Sequence, residues 1–204
     1  MTDTDHHLSA VYGAKGADDI ARHYDTWANG YESDMAQAGY RHPSIATALC
    51  ARHLPAGAAP VLDAGAGTGL VGEWLHLIGY PRIEALDISE GMLAVARQKG
   101  VYAALHQCAL GGALPFEDGQ FAGVVCAGVL TTGHVGAEAL PELVRSTAAG
   151  GVLILTVKEI LWAGELSGSL AGLDLDILET TQPYLSMPGA QSATPSRAVV
   201  LKRR

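Results

Sequence analysis

The sequence predicts an α/β fold in which a Rossmann-like, doubly wound and mostly parallel sheet carries helices on both faces. Apolar segments of strand length alternate along the 204-residue chain with segments of helical composition. Phe121 to Ala127 is apolar throughout, which is typical of a strand buried inside a parallel sheet, and Val152 to Val157 is predicted to be another buried strand. A third strand, near residues 60 to 64, runs into a loop of alternating glycines and then a helix. That arrangement is typical of a nucleotide-binding corner.

The part of the chain before the sheet is predicted to be helical from residue 17 onward. Residues 1 to 16 lack hydrophobic periodicity, and we expect them to be mobile. From residue 17, apolar positions recur at helical spacing and place aromatic rings on one face, at Ile20, Tyr24, Trp27 and Tyr31. A second helix is predicted from Pro43 to Leu54, because proline suits a first helical turn. Residues 17 to 54 therefore form either a lid over a ligand or helices packed on a core.

Residues 60 to 204 are predicted to form the Rossmann-like core of a single domain that spans 17 to 204. The second strand, Ile83 to Asp87, ends in an acid, and Ser89 is a suitable N-cap for the next helix. A third strand is expected near 103 to 107. The last two strands are expected at 173 to 185 and 197 to 202, and a hairpin between them would make one antiparallel.

Composition favours a cytoplasmic protein that does not bind nucleic acid. The formal charge of -8 repels polyanions. Three widely spaced cysteines, Cys50, Cys108 and Cys126, are typical of reduced thiols in a cytosolic chain, and no spacing of Cys and His indicates a metal site. The apolar runs are shorter than the roughly 20 residues that span a membrane. The polar N-terminus has no apolar core of a signal peptide.

The glycine loop allows two interpretations. Residues 67 to 72 satisfy GxGxxG, the dinucleotide pattern, and Asp87 lies 20 residues beyond Gly67. Alternatively, Asp63 opens an acid-x-Gly-x-Gly-x-Gly pattern that runs to Gly69. An acid at that position disfavours a nearby pyrophosphate, but it would receive the ammonium of a methionyl group directly or through water. The charge argument therefore favours a cationic nucleoside.

Four motifs in order, VLDAGAGTG, EALDISEGML, LPFEDGQFAGVV and GGVLILTV, resemble those of class I S-adenosylmethionine-dependent methyltransferases. The resemblance implies a seven-stranded sheet with a terminal antiparallel strand, and S-adenosylmethionine as cofactor with S-adenosylhomocysteine as product. Three shorter motifs resemble the small methyltransferase-like proteins of the Williams-Beuren region group: Tyr24-Asp25-x-Trp27-Ala28-x-x-Tyr31, Gly39-Tyr40-Arg41-x-Pro43 and Cys108-Ala109-Leu110-Gly111.

The resemblance implies a role for each matching position. Gly65 and Gly67 would let backbone approach the methionyl and ribose parts, Asp63 would orient the amino group, and Asp87 would accept hydrogen bonds from both ribose hydroxyls. Other positions would enclose the rest of the cofactor: Ile88 and Met92 around the adenine, the amides of Ala109 and Leu110 at its edge, and Tyr24, Tyr31 and Arg41 over the methionine end. Arg41 would pair with the methionine carboxylate.

Catalysis would depend mainly on positioning and exclusion of water, because a sulfonium is already an activated methyl donor. His134 follows the fourth strand, where parallel-sheet enzymes place functional groups, and it is the candidate general base. The alternative is a surface loop histidine. The expected acceptor is a small molecule, bordered by residues 158 to 172 and 186 to 196. Two other functions remain open: an NAD-dependent oxidoreductase that uses GxGxxG, and a regulatory protein that binds S-adenosylmethionine without turnover.

Overall fold

The computed structural model describes residues 3–131, 135–190 and 193–204 of the chain. Its helices are α1 (Asp3–Tyr12), α2 (Ala17–Trp27), α3 (Tyr31–Ala38), α4 (His42–His53), α5 (Leu70–Leu77), α6 (Glu90–Gln98) and α7 (Leu140–Ser146). Its strands are β1 (Val61–Ala64), β2 (Ile83–Asp87), β3 (Ala104–Gln107), β4 (Phe121–Leu130), β5 (Thr147–Lys158), β6 (Leu175–Thr180), β7 (Tyr184–Leu185) and β8 (Pro195–Arg203). Residues 159–172 form short helical turns between β5 and β6.

Within the described residues, eight strands form one sheet in the order β3-β2-β1-β4-β5-β8-β6, and β7 also pairs with β8. Strands β1 to β5 pair in parallel, whereas β8 is antiparallel to β5, β6 and β7. The predicted mostly parallel sheet with a terminal antiparallel strand is confirmed. The short strand β7 is additional, because the segment expected at 173 to 185 is divided into β6 and β7. Chain order reverses between β1 and β4, and such switch points form ligand crevices.

Apolar side chains cover both faces of the sheet. Successive residues of β5 point to opposite faces, so Leu153 packs into one core and Ile154 into the other. The first core includes Leu143 of α7 and buried leucines of residues 159–172, and the second includes Leu49 of α4 and Leu75 of α5. This layering is the doubly wound arrangement expected from the alternating elements. In the described ranges, no helix combines the length and the apolar character needed to cross a membrane.

The N-terminal segment differs from its prediction. Residues 3–12, expected to be mobile, form α1. Leu8 and Val11 are buried in a cluster with Trp27, and His7 stacks on Trp27 with ring centroids 4.9 Å apart. The segment has too few apolar residues to show helical periodicity in the sequence. Its packing partner, Trp27, lies outside it, so the helix was not predicted. The domain limits, 17 to 204, stay a prediction.

The aromatic helix is also interrupted. Its expected face ran from Ile20 to Tyr31, but α2 ends at Trp27 and α3 begins at Tyr31. Between them the backbone N–H of Gly30 donates to the carbonyl of Trp27 at 2.9 Å, which closes a turn. Glycine is a poor helix former, and that turn explains the break. Tyr31 therefore reaches the site from a second helix.

Candidate functional site

The loop between β1 and α5 turns sharply because three of its glycines have positive φ. The angles are 77° at Gly65, 55° at Gly67 and 89° at Gly69, a region that other residues rarely occupy. Gly65 also has no space for a side chain, since a Cβ there would lie 2.1 Å from Cγ2 of Val129. A Cβ on Gly67 would meet no protein atom within 4 Å, because Gly67 borders a cavity. The loop presents bare backbone to that cavity.

The cavity, of about 240 Å³, lies at the carboxyl ends of β1, β2 and β4 and is covered by residues of α2 and α3. This is the switch point of the sheet, where ligand binding is expected. Most of the residues predicted to bind the cofactor line it: Tyr24, Tyr31, Gly65, Gly67, Asp87, Ile88, Met92, Ala109 and Leu110. The fold therefore brings together residues from five separate segments of the chain. Arg41 and Asp63 are not among the lining residues.

Asp87 is held rigidly at the end of β2. Its Oδ2 accepts the backbone N–H of Gly67 at 2.8 Å, and its Oδ1 accepts that of Ser89 at 2.9 Å. Burial raises the pKa of Asp87, and these hydrogen bonds act in the opposite direction. An ionised carboxylate has about four acceptor sites. The carboxylate therefore retains acceptor capacity toward the cavity, which suits the hydroxyls of a ribose.

Asp63 lies beneath the glycine loop. It is 1% exposed, and its Oδ2 accepts the hydroxyl of Tyr102 at 2.7 Å. Tyr102 lies against α5, where a Cβ on Gly72 would approach the tyrosine hydroxyl to 2.2 Å. Burial raises the pKa of Asp63 to about 7, against the lowering effect of the Tyr102 hydrogen bond. The contacts of Asp63 are thus with Tyr102 and with the backbone of Gly72 in α5, and its contact with an amino group stays a prediction.

The turn between α3 and α4 places Tyr40, and not Arg41, at the cavity. Arg41 is exposed and does not line the cavity, whereas its backbone N–H donates to the carbonyl of Ser186 at 2.8 Å. This corrects the expectation that the Arg41 side chain closes over the site. Tyr40 follows Gly39, which has a φ of 68° and ends α3. An aromatic residue directly after a helix-ending glycine was the feature of the sequence that could have indicated Tyr40 as a site residue.

Tyr24, Tyr31 and Tyr40 together form an aromatic lid. Burial raises the pKa of all three hydroxyls, so they stay protonated near neutral pH, and Tyr31 is hydrogen-bonded to Tyr40. The rings of Tyr24 and Tyr31 meet edge to face with centroids 6.5 Å apart. Gly128 of β4 makes room for the lid, since a Cβ there would lie 2.0 Å from the Tyr40 hydroxyl. These rings exclude water and offer neutral hydroxyls.

The opposite end of the cavity is apolar. Ile88 and Met92 line it together with Cys108, Ala109 and Leu110. The backbone N–H of Cys108 donates to the carbonyl of Asp87 at 3.0 Å, which brings this loop beside the carboxylate. None of these five side chains carries a charge. Recognition of an adenine edge there would depend on the backbone of Ala109 and Leu110, as the resemblance implies.

Asp25 is a residue that sequence reasoning missed. Its carboxylate accepts hydrogen bonds from the Ser89 hydroxyl and the Gly91 amide, at the start of α6. Ser89 also caps that helix as predicted, accepting the backbone N–H of Met92. Asp25 therefore fastens the lid helix to the core. The available signal was its position beside Tyr24 in the aromatic motif.

The candidate base, His134, lies outside the described residues. Val129 on one side of that gap and Val135 on the other both line the cavity. The role of His134 stays a prediction. Within the described ranges, no three His, Cys, Asp or Glu side chains form a group that could hold a metal ion.

Comparison with known proteins agrees with the geometry. A family model described as a methyltransferase domain matches residues 62–155. Methyltransferase-like protein 27 of Homo sapiens is 38% identical over 154 residues, covering 72% of this chain and 62% of that protein. A dTDP-3-amino-3,6-dideoxy-alpha-D-glucopyranose N,N-dimethyltransferase of Streptomyces fradiae is 33% identical over 151 residues, covering 72% of this chain and 55% of that protein. The chain thus spans less than two thirds of the length of either relative.

A solved structure shows the same fold. The TehB-like SAM-dependent methyltransferase of Corynebacterium glutamicum superposes with a TM-score of 0.67 at 21% identity, covering 90% of this chain and 99% of that one. The matched domain includes the glycine loop, Asp87, strand β4 and most of strand β5. Residues 62–155 thus match a methyltransferase domain, and the chain is similar to methyltransferases in sequence and to an S-adenosylmethionine-dependent methyltransferase in fold.

Proposed function

We propose that this protein transfers the methyl group of S-adenosylmethionine to a small-molecule acceptor. The observation that carries the proposal is the cavity at the switch point of the sheet. It joins the bare backbone of Gly65 and Gly67, the carboxylate of Asp87 and a lid of half-buried tyrosines. A nucleoside with a charged amino-acid tail requires this combination of apolar, acidic and backbone groups.

The residues present fit the cofactor. Gly67 leaves open space where a side chain would intrude, and Asp87 retains acceptor capacity toward the cavity. We assign the ribose to Asp87, the adenine to Ile88, Met92 and the backbone of Ala109 and Leu110. The methionyl part is assigned to the glycine loop beneath Tyr24 and Tyr31. When bound, S-adenosylmethionine supplies a methyl group that the sulfonium charge has already activated.

The protein would then position the acceptor, exclude water from the cavity and, for some acceptors, remove a proton. The three lid tyrosines exclude water and fix the acceptor's approach. Their pKa values are raised by burial, so they do not serve as bases near neutral pH. We therefore retain His134 as the proposed base, on the grounds that it follows β4 in sequence and lies between Val129 and Val135, two residues that line the cavity. His134→Ala is expected to lower turnover and leave cofactor affinity unchanged; equal turnover would make it a loop residue.

A small acceptor is favoured over a nucleic acid. The formal charge is -8, and the relative from Streptomyces fradiae is named for an amino-sugar nucleotide. Residues of α2 and α3 cover the cavity, and no lysine or arginine is among its described lining residues. The three cysteines are free, two of them buried, which is consistent with the proposed cytoplasmic location.

A calorimetric titration tests the proposal. S-adenosylmethionine and S-adenosylhomocysteine should bind, whereas NAD should not; the reverse result would favour an oxidoreductase. A screen for release of S-adenosylhomocysteine across small nucleophiles then tests turnover. Binding without release for any acceptor would support the regulatory alternative.

A further inference from the structure

A second, smaller cavity of about 30 Å³ adjoins the cofactor cavity. The two share four lining residues, Tyr24, Tyr31, Tyr40 and Gly128, so the aromatic lid forms a common wall. The smaller cavity extends toward the end of β5, which is one strand farther from the glycine loop than β4 is. A group held there would face the methionyl end of the cofactor cavity from the other side of the lid.

Lys158, the last residue of β5, lines this second cavity. It is 7% exposed, and its Nζ donates to the carbonyl of Thr194 at 3.3 Å. Within the part of the chain that the structure describes, no carboxylate oxygen lies within 4.0 Å of that ammonium group. Burying a cation without a counter-ion is unfavourable, and burial accordingly lowers the pKa of Lys158. The ammonium group of Lys158 is therefore suited to pair with an anionic group of a ligand.

The neighbours of Lys158 are suited to the same kind of ligand. Ser186 lines the cavity, and its hydroxyl is buried without a hydrogen-bond partner among the described residues. His42 also lines it, with Nδ1 2.9 Å from the hydroxyl of Tyr184. Burial and then the charge of Lys158 lower the pKa of His42 to about 3, so the imidazole is neutral. Among the described residues that line this cavity, none is an aspartate or a glutamate.

We propose that the methyl acceptor carries a carboxylate, which pairs with Lys158 and accepts the hydroxyl of Ser186. This inference rests on the proposed methyl-transfer function and names the class of its substrate. The carboxylate would anchor the acceptor in the second cavity, and its nucleophilic atom would reach the cofactor beside Gly128 and the lid tyrosines, which line both cavities. A cavity of about 30 Å³ suits a planar group with two oxygens better than a phosphate. In a protein of charge -8, such a local cation is also needed to attract an anion.

The test uses the protein saturated with S-adenosylhomocysteine and three matched pairs of probes: acetate and acetamide, benzoate and benzamide, phenylacetate and phenylacetamide. Calorimetry should show at least one acid binding about tenfold or more tightly than its amide, as expected for a hydrogen bond between charged groups. Lys158→Met keeps the length of the side chain and removes the charge, so the acid should then bind no better than the amide. Lys202→Met removes an exposed lysine and should preserve the preference.

Folding and the alternative role of Lys158 are controlled separately. Lys158→Met replaces an unpaired buried cation with an apolar side chain, so its thermal midpoint should not fall below that of the wild type. Ser186→Ala, a milder change, should weaken binding of the same acid severalfold while leaving that of the amide unchanged. The affinity for S-adenosylhomocysteine should be the same in all four proteins.

Two results would overturn the inference. The first is equal affinity for acid and amide in every pair. The second is weaker binding of S-adenosylhomocysteine by Lys158→Met, which would assign the ammonium group to the carboxylate of the cofactor. If the wild type binds no S-adenosylhomocysteine, the proposed function itself fails, and that outcome is distinct from both.

Discussion

The Oδ1 atom of Asp25 accepts a hydrogen bond from the hydroxyl of Ser89 at 2.5 Å and a second one from the amide of Gly91 at 2.8 Å. Asp25 belongs to the lid helix α2, and Ser89 is the N-cap of α6, 64 positions later in the chain. A Cβ on Gly91 would lie 2.8 Å from Cα of Asp25, so the two helices meet closely. A single carboxylate thereby joins the lid helix α2 to the N-terminus of α6.

Asp25→Ala should loosen the lid. We expect a loss of roughly 1 to 3 kcal/mol in the free energy of unfolding, because two donors at a helix N-terminus lose their acceptor. Binding of S-adenosylhomocysteine should weaken as well, since Tyr24, which lines the cavity, belongs to the same helix. Urea denaturation and calorimetry measure the two effects. Asp18→Ala, an exposed acid on the same helix, is the control and should change both by less than about 1 kcal/mol.

Gly67→Ala should affect ligand binding more than folding. The φ of 55° makes any other residue unfavourable by roughly 1 to 2 kcal/mol, and the new methyl group would occupy the cavity. Gly57→Ala is a matched control, with a φ of 72°, open surroundings and no place in the cavity. Both variants should lose similar stability, but only Gly67→Ala should lose affinity for S-adenosylhomocysteine. Equal affinities would place the cofactor elsewhere.

Gly65→Ala should destabilise the folded protein for a different reason, a direct steric clash. Its Cβ would meet Cγ2 of Val129, and overpacking of this kind destabilises a protein by roughly 1 to 3 kcal/mol in addition to the strain of positive φ. The double variant Gly65→Ala/Val129→Ala should recover part of that loss in urea denaturation. If the second change adds its own penalty and restores nothing, the contact does not limit Gly65.

Asp87→Ala should weaken cofactor binding by roughly 2 kcal/mol through loss of charge-assisted hydrogen bonds. The ribose assignment is tested by comparing adenosine with 2′,3′-dideoxyadenosine. The wild type should prefer adenosine, whereas the variant should bind the two alike. A preference that survives in Asp87→Ala would show that another group receives the hydroxyls. Asp87→Asn, which keeps one acceptor oxygen, should give an intermediate preference.

Asp63 should make folding depend on pH. Its pKa is raised from 3.8 to about 7 by burial, so the folded state holds a proton that the unfolded state releases. This contribution to stability is fully present below about pH 4 and is lost as pH rises through about 7. Relative to Asp63→Asn, the free energy of unfolding of the wild type should fall across that range and then level off. Urea denaturation at successive pH values measures this, and parallel curves would contradict it; Asp18→Asn controls for loss of an exposed acid.

Local patterns in the sequence predicted most of the framework. The apolar strands, the N-cap Ser89 and the glycine loop depend on neighbouring residues, and the structure has each of them. Asp87 was also predictable, because the carboxyl end of a strand next to the switch point has a known direction. The order of the motifs along the chain predicted the methyltransferase domain that the family model matches.

The sequence by itself determined the fold class, because alternating strands and helices follow from spacing within short segments, and its motifs resembled a family that implies the cofactor and the glycine backbone that would hold it. Only the tertiary structure decided that Tyr40 faces the cavity and Arg41 faces solvent, that Asp63 lies beneath the loop against Tyr102, and that α1 packs on Trp27. It also brought Lys158 and Ser186 to one small cavity. Each of these outcomes depends on which distant side chains fill a shared volume, and periodicity along the chain carries no record of such contacts.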